Sequence, residues 1–349
     1  MRPSIQAIAE KVGVSTATVS RALNDREGVN AETRQRILQI AQEMGYVPNA
    51  AARGLAMSRT YTLGLITYKR EPQRPISNFP DEMIQGIDQE ARQRGYHVIT
   101  TFVDNEMMQS IANVPLINDG RVDGVILVGP AITANFIIQL HNHHLPLVLV
   151  DNLLQKTAID AIVCDNVDGT YGITRHLIRE HSLRKLVFLS GPADWFSSRE
   201  RRQGYEKALA EINQEPHVIF MEDTTMPMGY AAMQQAFELY PDLEGVVAVN
   251  DATAFGAIRA CKEKGCRVPG DVAFTGFDNT GYAPLHDPPL TTVRMFKYET
   301  GIQAVRHLTD KIERKLPPGF QLRLGTELIV RASCGCSPGE EQIYAVDES

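Results

Sequence analysis

The chain has 349 residues, 43% of them apolar, and exceeds the length at which a single hydrophobic core stops growing, so two or three domains are expected. Its formal charge of −7 would argue against a nucleic-acid partner if it were uniform, but residues 1–59 hold eight Arg or Lys against five Asp or Glu, net +3, which leaves −10 for the remainder. No apolar run reaches the length of a membrane span, Met1-Arg2-Pro3-Ser4 lacks the pattern of a signal peptide, and five irregularly spaced cysteines read as reduced thiols of a cytoplasmic protein.

Residues 4–12 carry Ile5, Ile8, Ala9 and Val12 at helical spacing. Gly13 then supplies the positive φ of a tight turn, and Ser15 offers its oxygen to the free N–H groups of a second helix, with Thr18 at the third position. Along that helix Val19, Ala22 and Leu23 face inward, which leaves Thr16, Ala17, Ser20 and Arg21 outward. Two short helices around a tight turn follow helix-turn-helix grammar. A third helix starts from the cap Asn30, aligns Ile37, Ile40, Ala41 and Met44, and stops at Gly45. The outward set suits a major groove: arginine forks onto guanine O6 and N7, threonine bonds a base edge, and the alanine methyl fits a thymine methyl.

The run Ile8-Ala9, Gly13-Val14-Ser15, Thr18-Val19-Ser20-Arg21, Leu23-Asn24, Val29, Thr33-Arg34, Gly45-Tyr46 and Pro48-Asn49 resembles the N-terminus of the LacI/GalR family of bacterial transcriptional repressors. The resemblance extends over nearly the whole chain and leaves only about the last dozen residues outside. It implies an all-α helix-turn-helix headpiece over 1–47, with Ser15, Thr16, Ala17, Thr18, Ser20, Arg21 and Asn24 toward DNA. Residues 48–59 are alanine-rich but too short, with an internal Gly54, to hold a helix alone in water. In the family this segment is a hinge helix ordered by DNA and by its dimer mate. By that resemblance Leu55 is the apolar wedge inserted into the minor groove, and Ala52 joins it at the DNA.

From Tyr61 the pattern changes. Apolar strands are expected at 62–66, 98–102, 124–128, 147–150, 159–164, 185–189, 218–221, 246–249 and 272–276, with helices between most of them, as at 81–94, 169–181, 199–212 and 252–264. Near-continuously apolar strands alternating with helices indicate buried parallel sheets. So many units fit an α/β core of two doubly wound lobes divided near Ile159. The resemblance implies a periplasmic-binding-protein-like core over 60–338 that the chain crosses near 160, 290 and 320. The first lobe then takes 60–160 and 291–320, the second 161–290 and 321–338, and 339–349 forms an acidic tail.

Ligands of parallel sheets collect beyond the carboxyl ends of the strands. Asp151, Asp165-Asn166, Asn250-Asp251 and Asp278 all sit there, with Arg199 after Ser190 and the aromatics Phe79, Trp195, Phe196 and Phe277 near strand ends. Carboxylate, amide and guanidinium groups together match the hydroxyls of a sugar. By resemblance, Arg199 with Gly204, Asn250-Asp251, and Asp278 after Gly276-Phe277 fit the family's effector-binding positions; Phe79 and Trp195 would complete the pocket.

Motifs for catalysis are missing: there is no Gly-x-Gly-x-x-Gly after the first strand, no Walker loop, no Gly-x-Ser-x-Gly and no His-Glu-x-x-His. No cofactor is implied. Cys334-Gly335-Cys336 has no second ligand pair beside it in the sequence, and His141-Asn142-His143-His144 reads as a solvated helix end, so no metal site is expected. The tail lacks heptads for a tetramerisation helix, which leaves a homodimer as the expected assembly. The chain therefore reads as a cytoplasmic repressor of carbohydrate-utilisation genes that binds a palindromic double-stranded operator and a small effector. A nucleoside or purine effector, or a protein co-regulator, is the alternative within the family, and a sugar-transport protein would share only the core.

Overall fold

The computed structural model describes residues 3–23, 27–46, 59–69, 79–337 and 342–345. Asn24, the segment 47–58 with Ala52 and Leu55, and the Phe79 side chain lie outside the described residues. The chain divides into two compact units, 1–62 with 121–123, and the rest.

In the first unit three helices form: α1 (Ile5–Val12), α2 (Thr16–Leu23) and α3 (Ala31–Glu43). Each starts on a side-chain cap that satisfies an orphan backbone N–H. Ser4 accepts from Ala7 N at 3.2 Å, Ser15 from Thr18 N at 3.1 Å, and Asn30 from Thr33 N at 2.8 Å. Gly13 takes the left-handed φ of 81° that a side chain would resist, and so lets α2 turn away from α1. Every helix gives the core one branched aliphatic residue and one alanine: Ile8 and Ala9, Val19 and Ala22, Ile37 and Ala41. The alanines let the helices approach closely enough to bury the larger side chains completely.

The second unit alternates strands and helices. In chain order these are β1 (Thr62–Tyr68), α4 (Phe79–Gln93), β2 (His97–Val103), β3 (Gly124–Val128), α5 (Ala134–Asn142), β4 (Leu147–Val150), β5 (Asp160–Cys164), α6 (Asn166–Glu180) and β6 (Leu186–Ser190). They continue as α7 (Phe196–Ala210), β7 (His217–Phe220), α8 (Met226–Leu239), β8 (Gly245–Ala248), α9 (Asp251–Glu263), β9 (Ala273–Thr275), β10 (Thr292–Met295), α10 (Lys297–Arg314), β11 (Gln321–Leu324), β12 (Thr326–Val330) and β13 (Gln342–Ala345).

Among the described residues the first lobe is a sheet in the order β11-β5-β4-β3-β1-β2, and the second a parallel sheet in the order β7-β6-β8-β9. Strands β3, β4, β5, β6 and β8 are buried along their whole length, as parallel strands covered on both faces must be. Helix α10 returns to the first lobe against α4, where the two backbones nearly touch. A Cβ on Gly86 would stand 2.2 Å from the Tyr298 carbonyl oxygen, and one on Gly301 2.3 Å from that of Met83.

The lobe boundaries fall a few residues beyond those expected at 160, 290 and 320. β5 runs to Cys164 inside the first sheet, and β11 pairs parallel with it through Leu324. β10, expected in the first lobe, belongs to the second, where it pairs antiparallel with β12 and bridges the β9 edge at Thr275↔Thr291 and Asp278↔Arg294. A short apolar run at a crossing carries no mark of the sheet it will join, and the crossing positions that the resemblance implied were only approximate. Within the acidic tail, Gln342–Ala345 adds a strand antiparallel to β12.

Asp160 fixes one crossing. It is fully buried, and it accepts hydrogen bonds from the backbone N–H groups of Gly319 at 2.7 Å and Phe320 at 3.0 Å, from His307 Nε2 at 2.8 Å, and from the Lys311 ammonium. Burial alone would raise this carboxyl, but His307, Lys311 and the Gly319 N–H outweigh it and hold it down at about 2, from an ordinary 3.8. A depressed carboxyl stabilises the fold above its unfolded value and loses that contribution as the pH falls toward the folded one. Asp160→Asn should therefore cost roughly 2 kcal/mol at neutral pH. In urea unfolding the deficit should shrink as the pH falls from about 4 toward 2; a deficit independent of pH would contradict the assignment.

Candidate functional site

The reading face of α2 is built by its own cap. The Ser15 and Thr18 hydroxyls lie 2.9 Å apart and close the first turn, while Val19 and Ala22 anchor the opposite side in the core. That leaves Thr16, Ala17 and Arg21 exposed, with Ser20 and Thr18 half-buried beside them. A helix presenting short polar groups and one long cation is complementary to base edges in a major groove.

The second cluster gathers at the carboxyl ends of the second lobe's strands. Its centre is Arg201, not Arg199. Arg201 is 5% exposed. Its Nε donates to Asn166 Oδ1 at 2.8 Å and its Nη1 to the Val249 carbonyl at 2.6 Å; Asp278 Oδ1 lies 3.5 Å from Nη1, and the guanidinium stands 3.8 Å above the Phe277 ring. Arg199 instead is exposed and bonds the Asp194 carbonyl of its own turn. Two residues along a helix point about 200° apart, so only one of the pair can face the cluster.

The helical period identifies which. Gly204, Tyr205 and Ala208 are buried, and they lie three, four and seven residues after Arg201. Gly204 has a packing reason to be glycine: a Cβ there would sit 2.2 Å from the Val167 carbonyl, so its absence lets α7 lie against the start of α6 and brings Arg201 to Asn166.

Asn250 caps α9, accepting from Thr253 N at 2.9 Å and donating to the Thr224 carbonyl at 3.1 Å. These bonds leave the amide one further N–H and one lone pair. Asp278 is buried at φ 106°. Its loop is held by Asp251, a fully buried neighbour that accepts from Thr280 N at 2.7 Å, Thr280 Oγ1 at 3.0 Å and Thr292 Oγ1 at 2.5 Å. Trp195 is half-buried at the N-cap of α7, whereas Phe196 and Phe277 are core residues. On the first-lobe side Asp151 follows β4 at φ 55°, buried.

A third ionic element joins the lobes. Arg323 of β11 makes a bidentate pair with Glu200 of α7, at 2.7 and 2.9 Å, and the same carboxylate accepts from Asn166 Nδ2 at 3.2 Å. Neither residue stands out in the sequence, since both are surface-type side chains that the chain crossing alone brings together.

Headpiece and lobes together define a DNA-binding regulator with a ligand-binding core. Residues 4–49 match the model for bacterial regulatory proteins of the lacI family, and 60–323 match that for periplasmic binding proteins and the sugar-binding domain of the LacI family. The chain belongs to the LacI family of ligand-responsive transcriptional regulators. It is 31% identical to the HTH-type transcriptional regulator RegA of Clostridium saccharobutylicum, over 95% of this chain and 99% of that one. It is also 29% identical to the HTH-type transcriptional repressor CytR of Escherichia coli (strain K12), over 96% and 97%. Among solved structures, a lac repressor dimer bound to operator and an anti-inducer superposes with a TM-score of 0.79 at 26% identity, covering 96% of this chain and 99% of that one. The complex of the regulator CelR with cellobiose gives 0.74 at 28%, covering 95% and 100%. These relatives are transcriptional regulators rather than enzymes, and no described helix is long and apolar enough to cross a membrane.

Burial, reinforced by the Asp278 charge, raises the Asp251 carboxyl to about 7 against the opposing pull of Thr292 and Thr280. A raised carboxyl stabilises the fold fully below its unfolded value near 3.8 and loses that contribution as the pH climbs through the folded one. Asp251→Asn cannot ionise. The stability of this variant relative to the parent should therefore rise as the pH goes from about 4 to 8, read as unfolding midpoints, the opposite trend to that at Asp160. A constant difference across that range would show that Asp251 does not titrate there.

Proposed function

We propose that the chain acts in the cytoplasm as a homodimeric repressor of carbohydrate-utilisation genes, whose two reading heads bind a palindromic operator and whose core binds a sugar. The observation that carries the effector reading is the buried guanidinium of Arg201, set over the face of Phe277 and against Asn166 and Asp278, with the buried Asn250 beyond the next strand end. Together they offer donors and acceptors side by side, as adjacent sugar hydroxyls require. The matched core model, that of a sugar-binding domain, and the cellobiose-bound relative support this class. Within the cluster Arg201 and Asp278 are the principal effector contacts and Asn250 uses its remaining valences, while Trp195 caps the opening. Arg199 stands outside. At the other site Thr16, Ala17, Ser20 and Arg21 contact the operator, with Ser15 and Thr18 ordering the helix end.

Arg21→Ala should weaken operator binding by roughly 1 to 3 kcal/mol and relax base preference, because a forked guanine contact is lost. Binding to operator and to scrambled DNA at one salt concentration checks this; an equal loss on both would reduce Arg21 to a phosphate contact.

Thermal-shift screening against sugars, glycosides and nucleosides should find a stabilising sugar, since a ligand that binds only the native state raises its melting temperature. Asp278→Asn and Arg201→Lys should each weaken that ligand about tenfold or more while operator binding without ligand persists, because each removes a charge-assisted bond. Arg199→Ala should respond as the parent does. A stabilising nucleoside in place of a sugar, or full response in both cluster variants, would overturn the sugar-site reading.

A further inference from the structure

Behind the second lobe, at the end of α6 away from Arg201, the fold assembles a cluster that the sequence separates by about 150 residues. His176 lies near the C-terminus of α6 and His181 is its C-cap residue, after which Ser182 reverses the chain at φ 56°. Cys334 closes a short turn that follows β12, and Cys336 comes after Gly335 at φ 111°. Cys334 Sγ lies 3.5 Å from His176 Nε2, and Cys336 Sγ lies 3.7 Å from His176 Nε2 and 3.4 Å from His181 Nε2. All four donor atoms fall within 4.8 Å of one another.

The geometry points to a structural zinc site formed by His176, His181, Cys334 and Cys336. A tetrahedral Zn2+ with bonds of about 2.3 Å to sulfur and 2.0–2.1 Å to nitrogen places neighbouring sulfur and nitrogen ligands about 3.5 Å apart. The three sulfur–nitrogen separations of 3.4, 3.5 and 3.7 Å bracket that value. Thiol–imidazole hydrogen bonds alone account for the arrangement less well. Each thiol has one proton, Cys334 Sγ also lies 3.3 Å from the Arg331 carbonyl, and His176 Nε2 faces both sulfurs at once. Two thiolates and two neutral imidazoles would leave a Zn2+ complex without net charge, suited to a half-buried place. The spacing His-x4-His is that of tetrahedral zinc sites, although Cys-x-Cys is tighter than the usual cysteine pair.

The surrounding residues hold the ligands in place. Thr291 Oγ1 donates to Cys334 Sγ at 3.1 Å, an outer bond of the kind that orients a metal-bound sulfur. Ser333 Oγ accepts from Thr291 N at 2.8 Å and donates to the Phe274 carbonyl at 2.7 Å, fixing the cysteine turn on the β9 edge. Gly335 has a second reason to be glycine besides its φ: a Cβ there would come within 3.1 Å of His181 Nδ1. The metal would fasten the turn after β12 to the end of α6, closing a loop through most of the second lobe.

The test uses untagged full-length protein, reduced and stripped with a chelator, then titrated with Co2+. One Co2+ per chain should bind with a thiolate-to-metal charge-transfer band and intense tetrahedral visible bands. One equivalent of Zn2+ should displace it and raise the melting temperature by several degrees. Cys336→Ser and His181→Ala should each abolish the charge-transfer band or weaken Co2+ at least tenfold while operator binding persists. Failure of the reduced parent protein to give the band would overturn the proposal whether or not the variants fold. So would Co2+ binding that survives both substitutions, or an isolated protein whose Cys334 and Cys336 are disulfide-linked and whose reduced form takes up no metal.

Discussion

A buried guanidinium tolerates very few arrangements of its neighbours. Taking the Arg201 charge out of water costs several kcal/mol unless its donors are met. The partners come from separate parts of the chain: Asn166 at the start of α6, Val249 after β8, Phe277 and Asp278 beyond β9, and Met295 at the end of β10. One charge therefore constrains where all these segments end. Gly204 makes the approach of α7 possible, and Asp251, through Thr280 and Thr292, holds the loop that presents Asp278. Breaking this network by removing one partner would leave a charge without solvation, so the segments are kept in place by the penalty for parting as much as by the bonds themselves.

The elements that the sequence announced are those with a local cause. Caps at Ser4, Ser15 and Asn30 and the glycine turn at Gly13 lie within a few residues of what they control, and the helices formed where they were expected. Buried parallel strands such as Gly124–Val128 and Leu147–Val150 were equally plain, being apolar throughout. The strands β10, β11 and β12 were not, because short segments at a crossing are defined by their partners and not by their own pattern. The placement of Arg199 outside the cluster has a related cause. Distance from Gly204 along the chain could not separate two arginines on opposite faces, whereas the inward period through Gly204, Tyr205 and Ala208 does. Cys334 and Cys336 showed no ligand pair beside them in sequence because their histidine neighbours arrive only through tertiary structure.

The same contacts bear on how a ligand would be felt. The lobes are joined where β5 leads into α6, where β10 leads into α10, and where β11 leads into β12. Asn166 stands at the first of these and bonds both Arg201 and Glu200; Glu200 is paired with Arg323, one residue before the end of β11; and Met295, at the second crossing, touches Arg201 through its sulfur. All three crossings are thus within three contacts of the guanidinium proposed to meet the effector.

A ligand can shift an equilibrium between lobe poses only by the difference in its affinity for them. Groups that lie on the crossings themselves are the ones whose hydrogen-bond distances must differ between poses, so they are where such a difference can arise. A ligand bound wholly within one lobe would meet the same contacts in either pose and would carry no coupling, however tightly it bound. By that criterion Arg201, Asn166, Asp278 and Asn250, all on the second lobe, would supply affinity, while the pair between Glu200 of the second lobe and Arg323 of β11 in the first is where a change of pose would be felt.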